Sequence, residues 1–356
     1  MKICFLAGAN SVHSHKWVKY FAEKGHDVHW ISFTKNTQGT IDRASFYQIS
    51  DPFPFNFFKL RKIVKKINPD IFHAHYAGVN GFLASLCNVH PFVLTAWGSD
   101  VLIAGKSKFQ SFFVKYALKK ADLITCDGKN SEEAIVNLGI NLKKIKMIYF
   151  GVDVLKFSPG QKSIGIIEKL EMVGCPSVIS LRNFEPIYNI ETLINAIPSV
   201  LKEVSKVKFI LAGKGSQEEN LKKLVKKLNI SKSVNFVGLI SQNDLPKYLR
   251  SCDVYVSTSL SDGGIASSTA EAMACGLPVV ITNFGDNKEW VKDGESGFLV
   301  PLKTPDVLAE KIIYLLKNPE KRLELGINAV KIIEEKDNYY KEMEKMENIY
   351  KELIKK

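Results

Sequence analysis

The densest set of groups able to do chemistry lies between Ser257 and Val280, S-T-S-L-S-D-G-G-I-A-S-S-T-A-E-A-M-A-C-G-L-P-V-V. The order reads as strand, glycine turn, helix, glycine stop and strand. Gly263 and Gly264 let backbone approach a ligand closely, with Asp262 just ahead of them. Ile265, Ala266 and Ser267 then open a helix whose free amides and positive dipole suit a diphosphate. Glu271 is placed in that helix's first turn, where its carboxylate would lie beside the phosphates and accept hydrogen bonds from two ribose hydroxyls. Ser268-Thr-Ala-Glu271 is equally a capping box, with the glutamate satisfying a backbone N–H at the helix start.

Other constellations are weaker. All seven histidines fall in the first 90 residues, and two H-x-H pairs, His13/His15 and His73/His75, sit at predicted strand ends or turns. Alternate strand residues share a face, so a metal site is permitted, but no third ligand cluster accompanies it and no metal is expected. His13 and His75 are better placed as polar groups lining a ligand cleft. Asp100, in Trp97-Gly-Ser-Asp100, reads as a cleft carboxylate or as an N-cap. Gly213-Lys214-Gly215 follows a predicted strand but lacks the third glycine and the later acidic residue of a dinucleotide turn, which excludes a dehydrogenase. No Asp-x-Asp and no Walker-type loop occurs. The six cysteines form no C-x-x-C pair and read as reduced, mostly buried thiols.

The elements that position these groups repeat one grammar twice. Short apolar runs at Ile3–Ala7, Val28–Ser32, Ile71–His75, Phe92–Thr95, Leu123–Cys126 and Ile145–Ile148 alternate with helical patterns such as His15–Lys24 and Asn130–Leu138. A second series follows at Ser177–Leu181, Lys208–Ala212, Val234–Val237, Val254–Ser257, Pro278–Thr282 and Gly297–Val300. Strands alternating with helices imply parallel sheets with right-handed crossovers. The 356 residues thus predict two doubly wound α/β domains, 1–160 and 161–337, whose carboxyl strand ends face a central crevice. The composition, 46% hydrophobic and 24% charged, is that of a globular chain with a large core.

A net charge of +12 favours anionic partners. Over 106–120 it becomes local, with Phe109, Phe112 and Phe113 interleaved among five lysines. This segment reads as a core-packed helix with a solvated face or as one that lies on acidic lipid. Lys59-Leu-Arg-Lys-Ile-Val-Lys-Lys is a second basic helix. Met1-Lys-Ile-Cys-Phe-Leu-Ala-Gly reads as a first strand rather than a signal peptide. A cytoplasmic location follows, peripheral at the inner membrane face if the basic helix docks there.

The block Ser257–Val280 is similar to the donor-binding signature of the family 4 retaining glycosyltransferases, glycosyl transferases group 1 type. The likeness extends through Gly25-His-Asp-Val28, Pro69-Asp-Ile-Phe-His-Ala-His75, Trp97-Gly-Ser-Asp100, Gly151-Val-Asp153, Arg182, Leu211-Ala-Gly-Lys-Gly215, Phe236-Val-Gly238 and Asp293-Gly-Glu-Ser-Gly-Phe-Leu299.

The resemblance implies a GT-B architecture and a metal-independent transfer, with retention, from a nucleoside diphosphate sugar to a hydroxyl acceptor. The acceptor would be a glycan or a lipid-linked group, in cell-surface polysaccharide or glycolipid synthesis, and no nucleic acid and no cofactor are expected. A last helix, about 338–356, would pack back on the first domain. Glu271 becomes the ribose ligand and Arg182 a diphosphate ligand, a role suited to its always-charged bidentate fork. Gly8 would face the donor phosphates from the first domain, unless it is an ordinary strand–helix turn glycine. Asn235 to Leu239, with Val237, Gly238 and Leu239 foremost, would offer backbone groups to the base. His13, His75 and Trp97 are the acceptor candidates, and Arg182, Glu271, His75 and Asp100 the catalytic ones.

Three departures stand out. Gly263 occupies the place of the family's usual sugar-holding glutamate, eight residues before Glu271, with Asp262 one position earlier. Tyr188 stands where a second diphosphate clamp, a lysine, is usual, which makes Lys214 the candidate replacement unless it is a solvated loop residue. Trp97 replaces a common histidine. A phosphorylase or epimerase of the same fold and a non-catalytic basic binding subunit are the alternative readings.

Overall fold

The computed structural model describes residues 1–102, 108–262 and 264–355, with the side chains of 108–110 also left aside. The chain forms two compact units, 1–150 with 340–356, and 151–339. The segment 151–160, expected in the first domain, belongs to the second unit, because Gly151 and Val152 are tied there. The Gly151 amide donates to Asp337 Oδ1 at 3.1 Å, and the Val152 amide to the Asp337 carbonyl at 2.6 Å.

The first unit is built on a seven-stranded parallel sheet. Its strands are β1 (Lys2–Leu6), β2 (Asp27–Ser32), β3 (Ala44–Gln48), β4 (Ile71–His75), β5 (Phe92–Thr95), β6 (Leu123–Cys126) and β7 (Ile145–Met147), in the order β3-β2-β1-β4-β5-β6-β7. The second unit holds six: β8 (Ser177–Ser180), β9 (Lys208–Ala212), β10 (Val234–Gly238), β11 (Val254–Ser257), β12 (Val279–Thr282) and β13 (Gly297–Val300), in the order β10-β9-β8-β11-β12-β13. Every strand pair is parallel, for example Ile3 with Ile71 and Val254 with Val178. Central strands are buried along their whole length, as β4, β5, β6, β8, β11 and β12 are. That follows from helices on both faces and explains why they read as continuous apolar runs.

β3 has no counterpart among the expected strands. Ala-Ser-Phe-Tyr-Gln lies at the sheet edge, mostly exposed, so no apolar run betrays it. In each sheet the strand order reverses at one place, between β1 and β4 and between β8 and β11. Ligands bind such folds at the carboxyl ends around that switch point. The last helix, Tyr339–Lys355, seals the far face of the first unit through Met343, Met346 and Tyr350, all without solvent exposure.

Candidate functional site

At the second sheet's switch point, β8 ends at Ser180 and delivers Arg182, while β11 ends at Ser257 and leads to Asp262. These residues meet 80 positions apart in sequence: Arg182 Nη2 donates to Asp262 Oδ1 in a short ion pair. Arg182 Nη1 lies 3.5 Å from Ser268 Oγ, and the guanidinium carbon sits 4.3 Å above the centre of the Tyr188 ring. The ring fixes the plane of the guanidinium by a cation–π contact and leaves its donor edges for oxygen ligands. Arg182 is 9% exposed, and its Nε finds no hydrogen-bond partner among the described residues. A buried, incompletely satisfied guanidinium at a sheet switch point is a strong anion receptor.

Asp262 is an imperfect resident there. Burial pushes its carboxyl above the usual carboxylate range, against the opposing pull of Arg182 and of the Ser259 hydroxyl.

The helix after this turn runs Ser267–Ala274, with Ala266 as its N-cap. The capping-box reading therefore fails: Ser268 is already inside the helix and cannot act as its cap. Glu271 lies beyond the first turn, one turn past Ser268 and on the same face, and is 6% exposed. Tyr255, rising from β11, holds Ser268 in place with its hydroxyl 2.8 Å from Ser268 Oγ. Ala270, Ala272, Met273 and Ala274 anchor the helix in the core. Ser267 and Ser268 thus stand at the positive end of a fixed helix. Gly264 has φ +62°, a left-handed turn that glycine adopts freely. Gly263 lies outside the described residues.

The Gly213-Lys214-Gly215 turn proves to be a packing device. A Cβ on Gly213 would lie 2.7 Å from the Arg182 carbonyl oxygen, and one on Gly215 2.4 Å from that of Phe184. The Lys214 side chain is exposed, and its carbonyl accepts the Phe184 amide at 3.0 Å. Lys214 thereby braces the Arg182 loop with its backbone. Along β10 the register with β9 skips Val237, a bulge that leaves its backbone groups off the ladder. Gly238 follows with φ +68°, and Leu239 is 67% exposed.

In the first unit the acceptor candidates do come together. His13 stacks on Phe150 with ring centres 4.4 Å apart, and Trp97 lies edge-on to both, 5.8 Å from His13 and 5.5 Å from Phe150. His13 Nδ1 and Trp97 Nε1 are buried atoms without partners among the described residues. His75 is also within 5.8 Å of Trp97 but is 1% exposed, walled in by Phe5, Trp17 and His73. Burial, with a smaller push from His13, lowers His75 to about 3, and burial with Lys16 nearby lowers His13 to about 4, so both are neutral imidazoles at neutral pH. An enclosed base this weak is no proton acceptor for a substrate, and His75 supports Trp97 instead.

Asp100 is corrected too. Its carboxylate receives the amides of Ala77 at 2.6 Å, Trp97 at 3.0 Å and Val101 at 3.0 Å. It clamps the loops after β4 and β5 and so sets the Trp97 backbone. Gly8 occupies the turn after β1, half-exposed, ahead of the helix Val12–Glu23 that Ser11 caps. His73 is structural, bonded to Tyr350 through Nδ1 and to Thr95 Oγ1 at 2.6 Å through Nε2. Tyr188 and Phe150 were not foreseen as site residues, and Ser268 was foreseen only as part of the helix start or as a cap. Tyr188 and Phe150 carried a signal in their positions, shortly after Arg182 and immediately before Gly151-Val-Asp153.

Residues 168–332 match a family model described as glycosyl transferases group 1, and residues 2–128 one described as glycosyl transferase 4-like. The chain is 32% identical over 279 residues to the uncharacterized glycosyltransferase MJ1178 of Methanocaldococcus jannaschii, covering 77% of this chain and 73% of that protein. It is 24% identical over 345 residues to the N-acetyl-alpha-D-glucosaminyl L-malate synthase of Bacillus anthracis, covering 89% and 87%. Its fold is similar to that of Anabaena Alr3699/HepE in complex with UDP and glucose, with a TM-score of 0.85 at 20% identity over 99% of this chain and all of that one.

Proposed function

Since the chain belongs to the glycosyl transferases group 1 family and is a nucleotide-sugar-dependent glycosyltransferase of GT-B fold, we propose that its donor diphosphate is held by Arg182 and the helix start at Gly264–Ser268. The observation that carries this reading is the buried guanidinium of Arg182, fixed over Tyr188 with an unpartnered Nε, beside a helix that begins with Ser267. Glu271, one turn further on the Ser268 face, takes the ribose hydroxyls. The Val237 bulge and Gly238 offer backbone groups to the base.

In the reaction, the bond from the anomeric carbon to the β-phosphate oxygen breaks and one to the acceptor oxygen forms, with retention of configuration. The acceptor proton passes to the departing phosphate, so no side-chain base is required. Negative charge grows on the diphosphate, where Arg182 and the helix dipole stabilise it without a metal. The acceptor is a glycan or lipid-linked sugar whose apolar face rests on the His13, Trp97 and Phe150 rings. Work at the cytoplasmic face of a membrane, in surface polysaccharide or glycolipid synthesis, fits the basic helix at 106–120, of which 106 and 107 and the side chain of Phe109 lie outside the described residues.

Calorimetry with UDP, the nucleotide crystallised with the Anabaena protein, tests the donor site. Arg182→Ala and Glu271→Ala each lose about tenfold to a hundredfold in affinity, as expected for charge-assisted bonds of roughly 1.5–3 kcal/mol. Unchanged affinity in both variants rejects the assignment.

A further inference from the structure

The second unit holds a cavity that the donor site does not use. Its volume is about 670 Å³, inside the range of small-molecule pockets, about 300–1,000 Å³. Arg182, Tyr188, Asp262, Ser268 and Glu271 are all absent from its lining. The buried part of that lining is apolar: Phe184, Ile190 and Leu221 are 1%, 2% and 5% exposed. The exposed part is polar. Glu191 and Asn195 stand four apart on one face of the helix Ile190–Glu203, and Lys303 joins them from the turn after β13. These three side chains make no hydrogen bond or ion pair among the described residues. Glu185 lines the cavity as a carboxylate: it accepts the Ser216 amide at 2.9 Å and the Ser216 hydroxyl at 2.6 Å, and these bonds hold its carboxyl below the usual range.

This mixture selects a ligand by its hydrogen bonding. Carboxylates only accept, an ammonium only donates, and an amide does both. A phosphate would meet two carboxylates for one ammonium, and an amine would leave Lys303 without an acceptor. A hydroxyl both donates and accepts, so it satisfies all of these groups, and the apolar lining receives the C–H face of a sugar ring. The geometry points to a neutral saccharide as the occupant, bound apart from both substrates of the transfer.

The cavity shares a wall with the donor site. Between Arg182 and Tyr188, which stack on the donor side, Phe184, Glu185 and Pro186 line the cavity. Leu260 lines it two residues before Asp262, and its amide donates to the Ile187 carbonyl at 2.8 Å. Thr258 Oγ1 donates to the Tyr188 and Asn189 carbonyls at 3.2 and 2.8 Å. Both stretches that carry the Arg182–Asp262 pair are thus stitched together along the cavity. A saccharide seated there orders the Arg182 loop in advance, so the nucleotide loses less entropy on binding and binds more tightly. This coupling rests on the donor assignment, whereas saccharide binding itself does not.

Saturation-transfer NMR titration of the full chain with maltose, cellobiose and N,N′-diacetylchitobiose tests the site, with inorganic phosphate and glycine as the anion and the zwitterion. At least one disaccharide is expected to bind in the absence of nucleotide. Glu191→Ala/Lys303→Gly lowers its affinity by about tenfold or more, as loss of bonds to charged groups does, and Asn195→Trp fills the cavity and abolishes binding. The altered side chains are exposed, so the melting temperature stays at the wild-type value. Saturating disaccharide tightens UDP by about fivefold or more in calorimetry, and UDP tightens the disaccharide by the same factor, as linkage requires. Arg182→Ala weakens UDP but leaves the disaccharide bound, which separates failure of this site from failure of the donor assignment. Binding of phosphate or glycine in place of the disaccharides, no disaccharide binding, or binding that survives Asn195→Trp and is lost in Trp97→Ala would overturn the site. Disaccharide binding that leaves UDP affinity unchanged would overturn the coupling.

Discussion

At Arg182 two anions compete for one guanidinium. Asp262 is paired with it, and a bound diphosphate must share or displace that partner. Burial already pushes the Asp262 carboxyl up, and the negative charge of a diphosphate pushes it further, so nucleotide binding takes up a proton. By linkage the sign is fixed: affinity for UDP rises as pH falls through the Asp262 titration, and calorimetry in buffers of different ionisation enthalpy reads the uptake directly. Asp262→Asn removes the repulsion, tightens UDP by about threefold to tenfold, and flattens that pH dependence. Looser binding with the pH slope intact would show instead that Asp262 acts by orienting Arg182. How much was readable in the sequence follows the same divide. The stretch around Glu271 left a ribose ligand and a cap equally open, and Arg182 stood out only through the resemblance to the family. Their contacts were not legible, since Asp262, Tyr188 and Arg182 meet only through the sheet order. Asp100 looked catalytic for want of its three backbone donors, which no spacing rule reveals.

Among the elements, the central parallel strands were legible because burial on both faces leaves unbroken apolar runs, while the edge strand Ala44–Gln48 was not, because it needs none. The Glu271 helix was foreseen with its start near Gly264–Ser268, but its capping residue was not, because Ser267, Ser268 and Thr269 all resemble caps and Ala266 takes the position. The loop after β9 shows how an element, rather than a charge, shapes the donor site. Gly215 lets that loop touch the Phe184 carbonyl, and the contact holds the stretch bearing Arg182. Gly215→Ala forces the two backbones apart. It is expected to cost about 1–3 kcal/mol of stability, as overpacking does, and about tenfold in UDP affinity, measured by urea denaturation and calorimetry. Lys214→Ala keeps the bracing carbonyl and stays within about threefold of wild type. A tenfold loss on removing the ammonium alone would return Lys214 to the role of a diphosphate clamp.

Across the whole molecule, the chain leaves the first unit at Phe150 and returns to it at Tyr340. Both passages are fastened in the second unit: the Tyr339 amide donates to the Val152 carbonyl at 2.9 Å, and the Gly151 Cα, at φ +76°, is so close that a Cβ would stand 2.3 Å from Tyr339 Cα. The returning helix then completes a core begun some 270 residues earlier, with Tyr350 bonded to His73 across 277 positions. Local periodicity marks 339–355 as a helix but says nothing about which unit it joins, and its burial of Met343, Met346 and Tyr350 settles that. Each such side chain is worth about 1.5–3 kcal/mol, against about 5–15 kcal/mol for a whole domain. Ending the chain at Tyr339 therefore unfolds the first unit while leaving the second, whose core needs none of the removed residues. Calorimetric unfolding of the truncated protein is expected to show one transition of roughly half the wild-type enthalpy, in line with enthalpy scaling by residue. UDP binding survives in that fragment and transferase activity does not. Loss of both together would mean that the second unit depends on the first for its own fold, contrary to the separate cores seen here.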